Sequence, residues 1–456
     1  MNPSIPKEPT AEEPLIVAGA GLAGSLMALY LARRGYYVDI YERRPDSRDA
    51  EFLGGRSINL ALSTRGLNAL EGVGLKDKIL EKCIPMHGRL IHKMNGQTEL
   101  HPYGKEGQFI NSVERRHLNE VLMNAADAHD HVNFHFEKKV VNVALADGSP
   151  MVEDMQSGEI STVKTRYLFG ADGAFSAVRG ALQKTGRFNY AQDYLSHAYK
   201  ELTIPAGPDG SWLMEKNALH IWPRHDFMLI ALPNLDGSFT VTLFLAYEGE
   251  HSFSKLRSEG AAIAFFDTFF KDALKLMPNF EKDFFDNPRG DLVTIKCSPF
   301  HYTDQVLLIG DAAHAVVPFY GQGMNASFED CFLVDRLLDS LAPDWGELGR
   351  QFSKERKADA HAIADLAIYN FLEMRSKVSN KNFLLKKKVD KQLHKWFPKK
   401  WIPLYSMVTF SNIPYAQARE RATRQDKILR KAGWLIFLLI AFFFFSAIVF
   451  GRTFLL

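Results

Sequence analysis

Hydrophobic and polar residues near the start of the chain follow the order expected for a strand, a helix and a second strand. Leu15–Ala18 is a compact apolar run typical of a buried strand. Apolar residues then recur at helical spacing through residues 25–34, and Gly35 ends that pattern. A second apolar segment, residues 36–41, follows directly. The pattern predicts one half of a Rossmann-type fold.

The middle of the chain has a different pattern, in which short strand-like runs are separated by turn signals. Residues 219–222, 227–232 and 239–245 are such runs, and Asn-Leu-Asp-Gly at residues 234–237 marks a turn between two of them. This predicts a mainly antiparallel sheet inserted after the Rossmann half. A buried strand returns at residues 306–309, and the pattern is mostly helical from there on.

The last apolar segment, residues 434–450, is the longest and contains no charged residue. As a helix, its 17 residues span about 26 Å, close to the ~30 Å hydrocarbon core of a bilayer. Hydrophobicity on all sides is more typical of a transmembrane helix than of a buried core helix. The basic residues that precede it predict that the body of the protein faces the cytosol. These residues are Arg419, Arg421, Arg424, Lys427, Arg430 and Lys431.

Composition and charge exclude several classes of protein. At roughly 100–200 residues per domain, 456 residues suggest two or three domains, and 46% hydrophobic content excludes a disordered or fibrous protein. A formal net charge of +2 gives no reason to expect nucleic-acid binding. Cys83, Cys297 and Cys331 are scattered, so we expect a reducing compartment, without disulfides or a zinc site. Residues 1–14 are polar and are interpreted as a flexible arm, not a secretory signal.

A glycine motif connects the first strand to the first helix. Gly19 allows a tight turn, Gly21 lets a pyrophosphate approach the backbone, and Gly24 lets the helix pack closely on the strand. The helix N-terminus then offers free N–H groups to the phosphates. Glu42, at the end of the second strand, can accept both ribose hydroxyls. Because Arg43 and another arginine follow it, a 2′-phosphate is not clearly disfavoured, and FAD and NAD both fit the motif.

Two later segments distinguish between these cofactors. Residues 167–173 lead from an apolar run into Gly-Ala-Asp-Gly, and residues 307–311 lead from another into Gly-Asp. Each alone is consistent with an ordinary turn. Together with the glycine motif, they resemble the three fingerprints of flavoprotein aromatic hydroxylases with the para-hydroxybenzoate hydroxylase fold. The resemblance implies FAD, with Asp311 bonding its ribityl or ribose region and Asp172 structuring a segment that serves FAD and NADPH.

Further motifs are similar to those of the kynurenine 3-monooxygenase family, and the similarity extends from about residue 15 to residue 410. They are residues 55–62 (GRSINLAL), 219–224 (LHIWPR), 230–234 (IALPN), 318–325 (PFYGQGMN) and 405–410 (YSMVTF). The resemblance implies hydroxylation of L-kynurenine to 3-hydroxy-L-kynurenine with NADPH and O₂, through a flavin C4a-hydroperoxide. The hydrophobic tail also resembles the anchor of the eukaryotic enzymes, which implies the mitochondrial outer membrane if the source is eukaryotic.

The same resemblance implies two sets of site residues. The substrate set, in which Arg89 and Tyr103 hold the carboxylate, is Arg89, Tyr103, Phe319, Asn370, Glu373 and Tyr405. The FAD set is Gly19, Gly21, Ala23, Gly24, Glu42, Arg43, Ala61, Arg115, Asp172, Asp311, Met324 and Asn325. The flavin carries the chemistry, so we expect no indispensable protein acid or base. No second ligand lies at ligand spacing from His314, so we expect no metal, and Tyr320 replaces the Phe or His often found in the family.

The predicted fold class is α/β, with a Rossmann-like FAD-binding domain, an inserted mainly antiparallel substrate domain, C-terminal helices and a C-terminal transmembrane helix. The predicted boundaries are residues 1–14 for the arm, 15–190 and 291–345 for the FAD-binding domain, 191–290 for the substrate domain, 346–431 for the helical region, and 434–450 for the anchor.

Two alternatives remain open at this point. A membrane-bound flavin epoxidase acting on an apolar lipid would explain the tail, but it would not need an Arg, Tyr and Asn cluster for an amino acid. A non-catalytic flavin-binding membrane scaffold would also explain the tail. No fingerprint is disrupted in the sequence, which argues against the scaffold.

Overall fold

The structure, a computed structural model, describes residues 10–49, 59–105, 107–341, 344–373 and 381–453, without the side chains of residues 381–384 and 443–453. The first nine residues of the predicted arm lie outside the described residues, as do residues 55–58 of the motif at 55–62.

The strands are, in chain order, β1 Leu15–Ala18, β2 Val38–Tyr41, β3 Asn59–Leu62, β4 Ile84–Met86, β5 Gly88–His92, β6 Thr98–Pro102, β7 Ile110–Glu114, β8 Val132–His135, β9 Lys138–Ala144, β10 Ser149–Asp154, β11 Ile160–Thr162, β12 Tyr167–Gly170, β13 Asn189–Ile204, β14 Ala218–Arg224, β15 Phe227–Pro233, β16 Phe239–Ala246, β17 Arg289–Ser298, β18 His301–Tyr302 and β19 Val306–Leu308.

The α-helices are α1 Leu22–Arg33, α2 Thr64–Gly72, α3 Lys76–Leu80, α4 Arg115–Asp127, α5 Ala177–Leu182, α6 Glu259–Phe269, α7 Lys271–Leu274, α8 Phe280–Asp286, α9 Asp311–His314, α10 Gly323–Leu341, α11 Trp345–Leu372, α12 Lys381–Trp396, α13 Leu404–Thr409 and α14 Tyr415–Thr453, with 3₁₀ turns at Phe253–Lys255 and Pro318–Tyr320.

The predicted Rossmann-type unit is confirmed as part of a six-stranded sheet with the order β18-β19-β12-β1-β2-β8. All its pairings are parallel except that of β18 with β19. Strand β1 has no exposed side chain, as expected for a parallel strand covered on both faces. The carboxyl ends of β1, β12 and β19 meet at one edge, so the loops after them bring Gly19, Asp172 and Asp311 to the same side.

The predicted antiparallel sheet is present and is larger than its sequence pattern indicated. It has seven strands in the order β17-β13-β16-β15-β14-β5-β6, and only the β14–β5 pair is parallel. Strands β5 and β6 come from residues 88–102, far earlier in the chain than the predicted insertion. Because Arg89 pairs with Leu219 in register, this early hairpin carries a predicted substrate residue into the sheet.

Helices cover both faces of this sheet. On one face α6, α7 and α8 contribute a core rich in phenylalanine, which contacts Trp222, Phe227 and Phe239 of the strands. The buried phenylalanines of α6, α8 and the junction between α6 and α7 are Phe265, Phe266, Phe270, Phe280 and Phe284. The opposite face packs against α11, α13 and the start of α14. Ile91, which points to the same side of β5 as Arg89, belongs to this second core.

The C-terminal helix α14 begins inside the body of the protein and leaves it. Tyr415 and Ala418 are fully buried, whereas the large side chains from Trp434 to Phe442 are exposed. In the part of the chain that the structure describes, no helix is long and apolar enough to cross a membrane. The transmembrane helix at residues 434–450 is therefore the one part of the predicted fold class that the described residues do not support.

A buried pair of histidines connects β5, β14 and α7 in the substrate sheet. His92 Nδ1 lies 3.0 Å from an Asp272 oxygen, and His92 Nε2 lies 2.9 Å from His220 Nδ1. His220 Nε2 donates to the Glu215 carbonyl at 2.8 Å, so His220 must carry its proton on Nε2. Burial lowers the pKa of His220 to about 4, which keeps the ring neutral at pH 7.

We predict that His220→Gln reduces the loss of stability in acid. The pKa of His220 lies below its ordinary 6.5 when the protein is folded. As the pH falls from about 6.5 to 4, the unfolded chain therefore binds a proton that the folded chain does not bind. The free energy of unfolding falls by about 3 kcal/mol as a result. Gln lacks that titration, although it should lower stability at pH 7.5 by about 1–2 kcal/mol. Urea unfolding at several pH values measures this, with His225→Gln, at an exposed histidine, as control. An equal acid loss in His220→Gln and wild type would contradict the prediction.

Candidate functional site

The glycine turn after β1 has open space at one of its glycines, whereas the other two leave no space for a side chain. A Cβ on Gly24 would lie 1.9 Å from the Gly19 carbonyl oxygen, and a Cβ on Gly19 would lie 2.8 Å from the Ala171 oxygen. Gly19 also has a φ of 97°, which disfavours other residues. A Cβ on Gly21 would meet no atom within 4 Å. The α1 N-terminus therefore faces open space at Gly21, which fits a pyrophosphate.

Glu42 lies beside this turn and is largely buried. Its Oε2 accepts the Ala20 backbone N–H at 3.0 Å, and its Oε1 accepts the Arg44 backbone N–H and side chain at 3.0 and 2.7 Å. Burial alone would raise the pKa of Glu42, but Arg44 and the backbone bonds hold it below its usual range. The carboxylate is thus ionised and oriented for a ribose. Arg44 is its partner, while the predicted contact Arg43 is exposed to solvent.

Asp172 and Asp311 occupy the neighbouring turns. Asp172 Oδ2 accepts the Ala177 and Val178 N–H groups and so caps α5, while its buried Oδ1 has no partner among the described residues. Asp311 is the first residue of α9 and has an accessible side chain. Desolvation by the surrounding protein raises the pKa of Asp311, and the exposed Arg115 opposes that rise. The Asp311 carboxyl group is thus reachable from solvent and lies beside the glycine turns.

A buried charged cluster, which the sequence analysis did not identify, holds the Asp311 turn. Asp330 Oδ2 accepts the Gly310 N–H at 2.8 Å and lies 2.6 Å from His314 Nε2. Arg356 Nε donates to Asp330 Oδ1 at 2.5 Å. Burial would raise the pKa of Asp330, but His314 and Arg356 lower it below its usual range. The signal in the sequence was a charged residue among apolar ones in each of two helices, Asp330 in α10 and Arg356 in α11.

Asn325 fixes the start of α10 against the turn after β3. Its Nδ2 donates to the Ala61 carbonyl at 2.8 Å, and its Oδ1 accepts the Ser63 N–H at 2.9 Å. Met324, beside it, is also buried, and Ala23 of α1 and Ser327 of α10 both lie next to Gly310. The predicted FAD residues on α10, β3 and α1 therefore line one continuous region.

The C-terminal helix reaches this region through Tyr415. The Tyr415 hydroxyl donates to Gln322 Oε1 at 2.9 Å, and Gln322 Nε2 donates to the Ser63 hydroxyl at 3.3 Å. The Arg65 guanidinium lies 3.9 Å from the Tyr415 ring centroid and also bonds Glu329. The first turn of α14 is thus bonded to the residues that precede α10, a connection absent from the sequence analysis.

Three predicted substrate residues form one cluster around a guanidinium. Arg89 Cζ lies 4.7 Å from the Tyr405 ring centroid and 5.6 Å from that of Tyr103. The Tyr103 and Tyr405 rings are stacked, with centroids 5.5 Å apart, and Tyr320 stacks on the far side of Tyr405 at 5.6 Å. Residues from β5, the loop after β6, the 3₁₀ turn and α13 therefore meet at one point.

Two buried polar groups of this cluster lack a hydrogen-bond partner. The buried Arg89 Nε and Tyr103 hydroxyl have no hydrogen-bond partner among the described residues. Burial raises the pKa of Tyr103 well above its usual range. Burial, together with Tyr405 and Glu373, does the same for the pKa of Tyr320. Both phenols therefore stay neutral. A cation and two neutral phenols suit a ligand that brings a carboxylate.

The remaining predicted substrate residues line the adjacent core. Asn370 Nδ2 donates to the Phe319 carbonyl at 2.6 Å, and the Phe319 ring stacks on Phe371 at 4.1 Å. Asn370 is buried and holds the 3₁₀ turn in place. Glu373 is paired with Lys387 at 2.6 Å, so its carboxylate already has a cationic partner. The described residues contain no group of three His, Cys, Asp or Glu that could hold a metal ion.

Comparison with known proteins agrees with this arrangement. A family model described as an FAD binding domain matches residues 12–367. The kynurenine 3-monooxygenase of Flavobacterium psychrophilum is 46% identical over 91% of this chain and 93% of its own length. The enzyme of the same name from Myxococcus xanthus is 48% identical over 92% and 90%, and that of Sus scrofa is 43% identical over 97% and 92%.

Solved structures share the fold at lower sequence identity. A tetrameric 2-methyl-3-hydroxypyridine-5-carboxylic acid oxygenase aligns with a TM-score of 0.66 and 19% identity, covering 81% of this chain and 93% of that one. A tetracycline destructase aligns with a TM-score of 0.60 and 17% identity, covering 90% and 100%. These structures share the fold with its mixed sheets, and the family model over residues 12–367 identifies it as that of an FAD binding domain.

We predict that Tyr415→Phe weakens FAD binding. The change leaves Gln322 Oε1 without its donor, at a cost of about 1 kcal/mol, which is roughly fivefold in the FAD dissociation constant if the α10 start loosens. Flavin fluorescence titration of the apoprotein measures this. Tyr167→Phe is a matched control, since the buried Tyr167 hydroxyl has no partner among the described residues. Equal FAD affinity in the two variants would show that Tyr415 does not support the site.

Proposed function

The chain belongs to the kynurenine 3-monooxygenase family, and we propose that it hydroxylates L-kynurenine to 3-hydroxy-L-kynurenine with FAD, NADPH and O₂. The observation that carries the proposal is the Arg89 cluster, in which a guanidinium lies against aromatic rings and the buried Arg89 Nε and Tyr103 hydroxyl have no hydrogen-bond partner among the described residues. Kynurenine is an aromatic amino acid, so its carboxylate can pair with Arg89 while its ring packs among aromatic side chains.

The protein residues have placement roles in this reaction. FAD supplies the oxygen-transfer chemistry when it is bound. Arg89 and Tyr103 hold the carboxylate, which fixes the distance from that end of the substrate to the reacting ring. Phe319 and Phe371 form the stacked apolar wall next to the 3₁₀ turn and help exclude water. The aniline nitrogen of the substrate activates its own ring, so the pocket needs no protein base.

The two alternatives explain the tail, but the Arg89 cluster does not favour either of them. An apolar lipid has no group that could neutralise Arg89, and a buried cation without a partner would oppose lipid binding. A non-catalytic scaffold would not need such a pocket beside the cofactor region.

The function is tested by following NADPH oxidation by the purified, FAD-loaded protein with and without L-kynurenine, with product identification. We expect kynurenine to accelerate NADPH oxidation and to be converted to 3-hydroxykynurenine. Oxygenation of a lipid with kynurenine inert would overturn the proposal in favour of the epoxidase, and no oxygenated product from any aromatic would favour the scaffold.

We predict that Arg89→Ala weakens kynurenine binding and leaves FAD bound. Loss of a charge-assisted pair in a largely desolvated pocket costs about 2–4 kcal/mol, or roughly 30- to 1000-fold in affinity. Spectral titration of the flavin measures the dissociation constant. Lys93→Ala removes an exposed charge near the end of the same strand and should leave it unchanged. A change of less than threefold in Arg89→Ala would remove Arg89 from the site.

We also propose that residues 434–450 anchor the protein in a membrane with its catalytic body in the cytosol. The uncharged apolar sequence and the basic residues before it support this. The exposure of Trp434–Phe442 supports it as well, since such side chains are costly to leave in water.

We predict that deletion of all residues after Lys431 changes how the protein is extracted from membranes. The full-length protein should require detergent, whereas a salt wash should release the truncated protein. The truncated chain retains Tyr415, the Arg419–Asp365 ion pair at 2.7 Å and every proposed substrate contact, so we expect it to bind FAD and turn over. Sedimentation, flavin content and turnover beside full-length protein in detergent measure this. A truncated protein that still requires detergent would refute the anchor. Retained FAD with lost turnover would show that the tail also shapes the pocket.

A further inference from the structure

We propose that the outer face of helix α12, with the turn that follows it, is a second membrane contact that binds anionic phospholipid at the bilayer surface. This proposal concerns where the enzyme sits and is independent of the hydroxylation reaction. It uses the position of the proposed anchor, and the experiment below separates the two.

Large apolar side chains form an exposed stripe along α12. Leu385 is 61% exposed, Val389 37%, Trp396 63% and Phe397 52%. Leu385, Val389 and Trp396 are four and seven residues apart, which places them on one side of the helix. Exposed apolar groups that form a contiguous patch mark a site of interaction, whereas single ones do not.

The same segment is strongly basic. Exposed lysines surround the stripe at Lys387, Lys388, Lys391, Lys395, Lys399 and Lys400. Asp390 is the one acid between residues 385 and 401, and it accepts the Trp401 indole N–H at 2.9 Å. Lysines beside Trp, Phe and Leu are typical of helices that lie in the plane of a membrane and bind anionic lipids. The charge favours a phospholipid surface over an apolar protein partner.

The inner face of α12 contacts α14, so the exposed stripe is not the surface that packs against α14. Lys386 forms a 2.7 Å ion pair with Asp426 of α14. Arg421 of α14 donates to the Lys399 and Lys400 carbonyls at 2.6 and 2.9 Å. These contacts attach α12 to α14 at both ends and leave the stripe facing outward.

The contacts also show that α12 runs across α14. Residues 421 and 426 are five apart on α14, a rise of about 7.5 Å, whereas their partners lie more than ten residues apart on and just after α12. Trp434, where the apolar run of α14 begins, is eight residues beyond Asp426, or about 12 Å. That distance is roughly one helix radius plus one headgroup layer. Arg421, which contacts the chain just after α12, is 13 residues from Trp434, or about 20 Å, so α12 lies along the surface of a bilayer that α14 enters at a tilt.

The test uses full-length protein with single cysteines carrying a nitroxide label. Burial raises the pKa of the Cys83 and Cys297 thiols to about 12, and Cys331 is fully buried, so the native thiols react slowly. Val389→Cys and Phe397→Cys report on α12, Leu438→Cys on the anchor, and Glu248→Cys on a solvent-exposed control site. The depth of each label in the bilayer is measured by comparing how often the nitroxide collides with oxygen and with a water-soluble nickel chelate.

In vesicles of equal parts phosphatidylcholine and phosphatidylserine, we expect labels at 389 and 397 to be shielded from the chelate and exposed to oxygen, unlike the label at 248. The shielding should decrease in phosphatidylcholine alone. It should also decrease in K391Q/K395Q, and it should be unchanged in K275Q/K282Q, which alters exposed lysines elsewhere.

Three results would overturn the proposal. In the first, the chelate reaches the labels at 389 and 397 as readily as the label at 248, while the label at 438 is in lipid. This result would refute the α12 contact and leave the anchor supported. Chelate access at 389, 397 and 438 alike would refute both. Shielding at 397 that depends on protein concentration and not on lipid would assign the stripe to a second copy of the chain. Lipid contact at 389 and 397 without insertion at 438 would support α12 and refute the anchor.

Discussion

A permanent positive charge in a pocket of aromatic rings is the constraint on which the candidate site depends. Arg89 cannot lose its charge, and among the described residues it forms no ion pair with a carboxylate. Tyr405 and Tyr103 offer ring faces and a hydroxyl, which stabilise the guanidinium only in part. The Glu373 carboxylate also acts on this charge, but it is paired with Lys387, so an amino-acid carboxylate from a substrate would supply the charge and shape of a direct partner.

The cofactor side depends on a second set of charges, which are paired inside the protein. Asp330 holds the Gly310 turn only because His314 and Arg356 compensate its burial, and removal of one member would leave another unpaired. Arg65 and Tyr415 extend the set to the C-terminal helix. The same helix that leaves the body toward the proposed membrane thus begins as part of the flavin-side core.

The sequence predicted the parts of the structure that depend on local pattern. The strand–helix–strand unit and the strands near 219–245 were found because burial imposes a regular period. The hairpin at residues 88–102 was missed because its place in the sheet depends on pairing with β14, which is far away in the chain. The family motifs indicated Arg89, Tyr103 and Tyr405, but local pattern could not show that their side chains form one cluster.

The central claim is that Arg89 recognises a negative charge on the substrate. The most direct test is to compare the dissociation constants of L-kynurenine and its carboxamide for the unmodified enzyme, by flavin spectral titration. The carboxamide keeps the size and the aromatic ring but lacks the charge. We expect it to bind at least about 30-fold more weakly, as for loss of a charge-assisted pair in a desolvated pocket. Equal affinity for the two compounds would contradict the account.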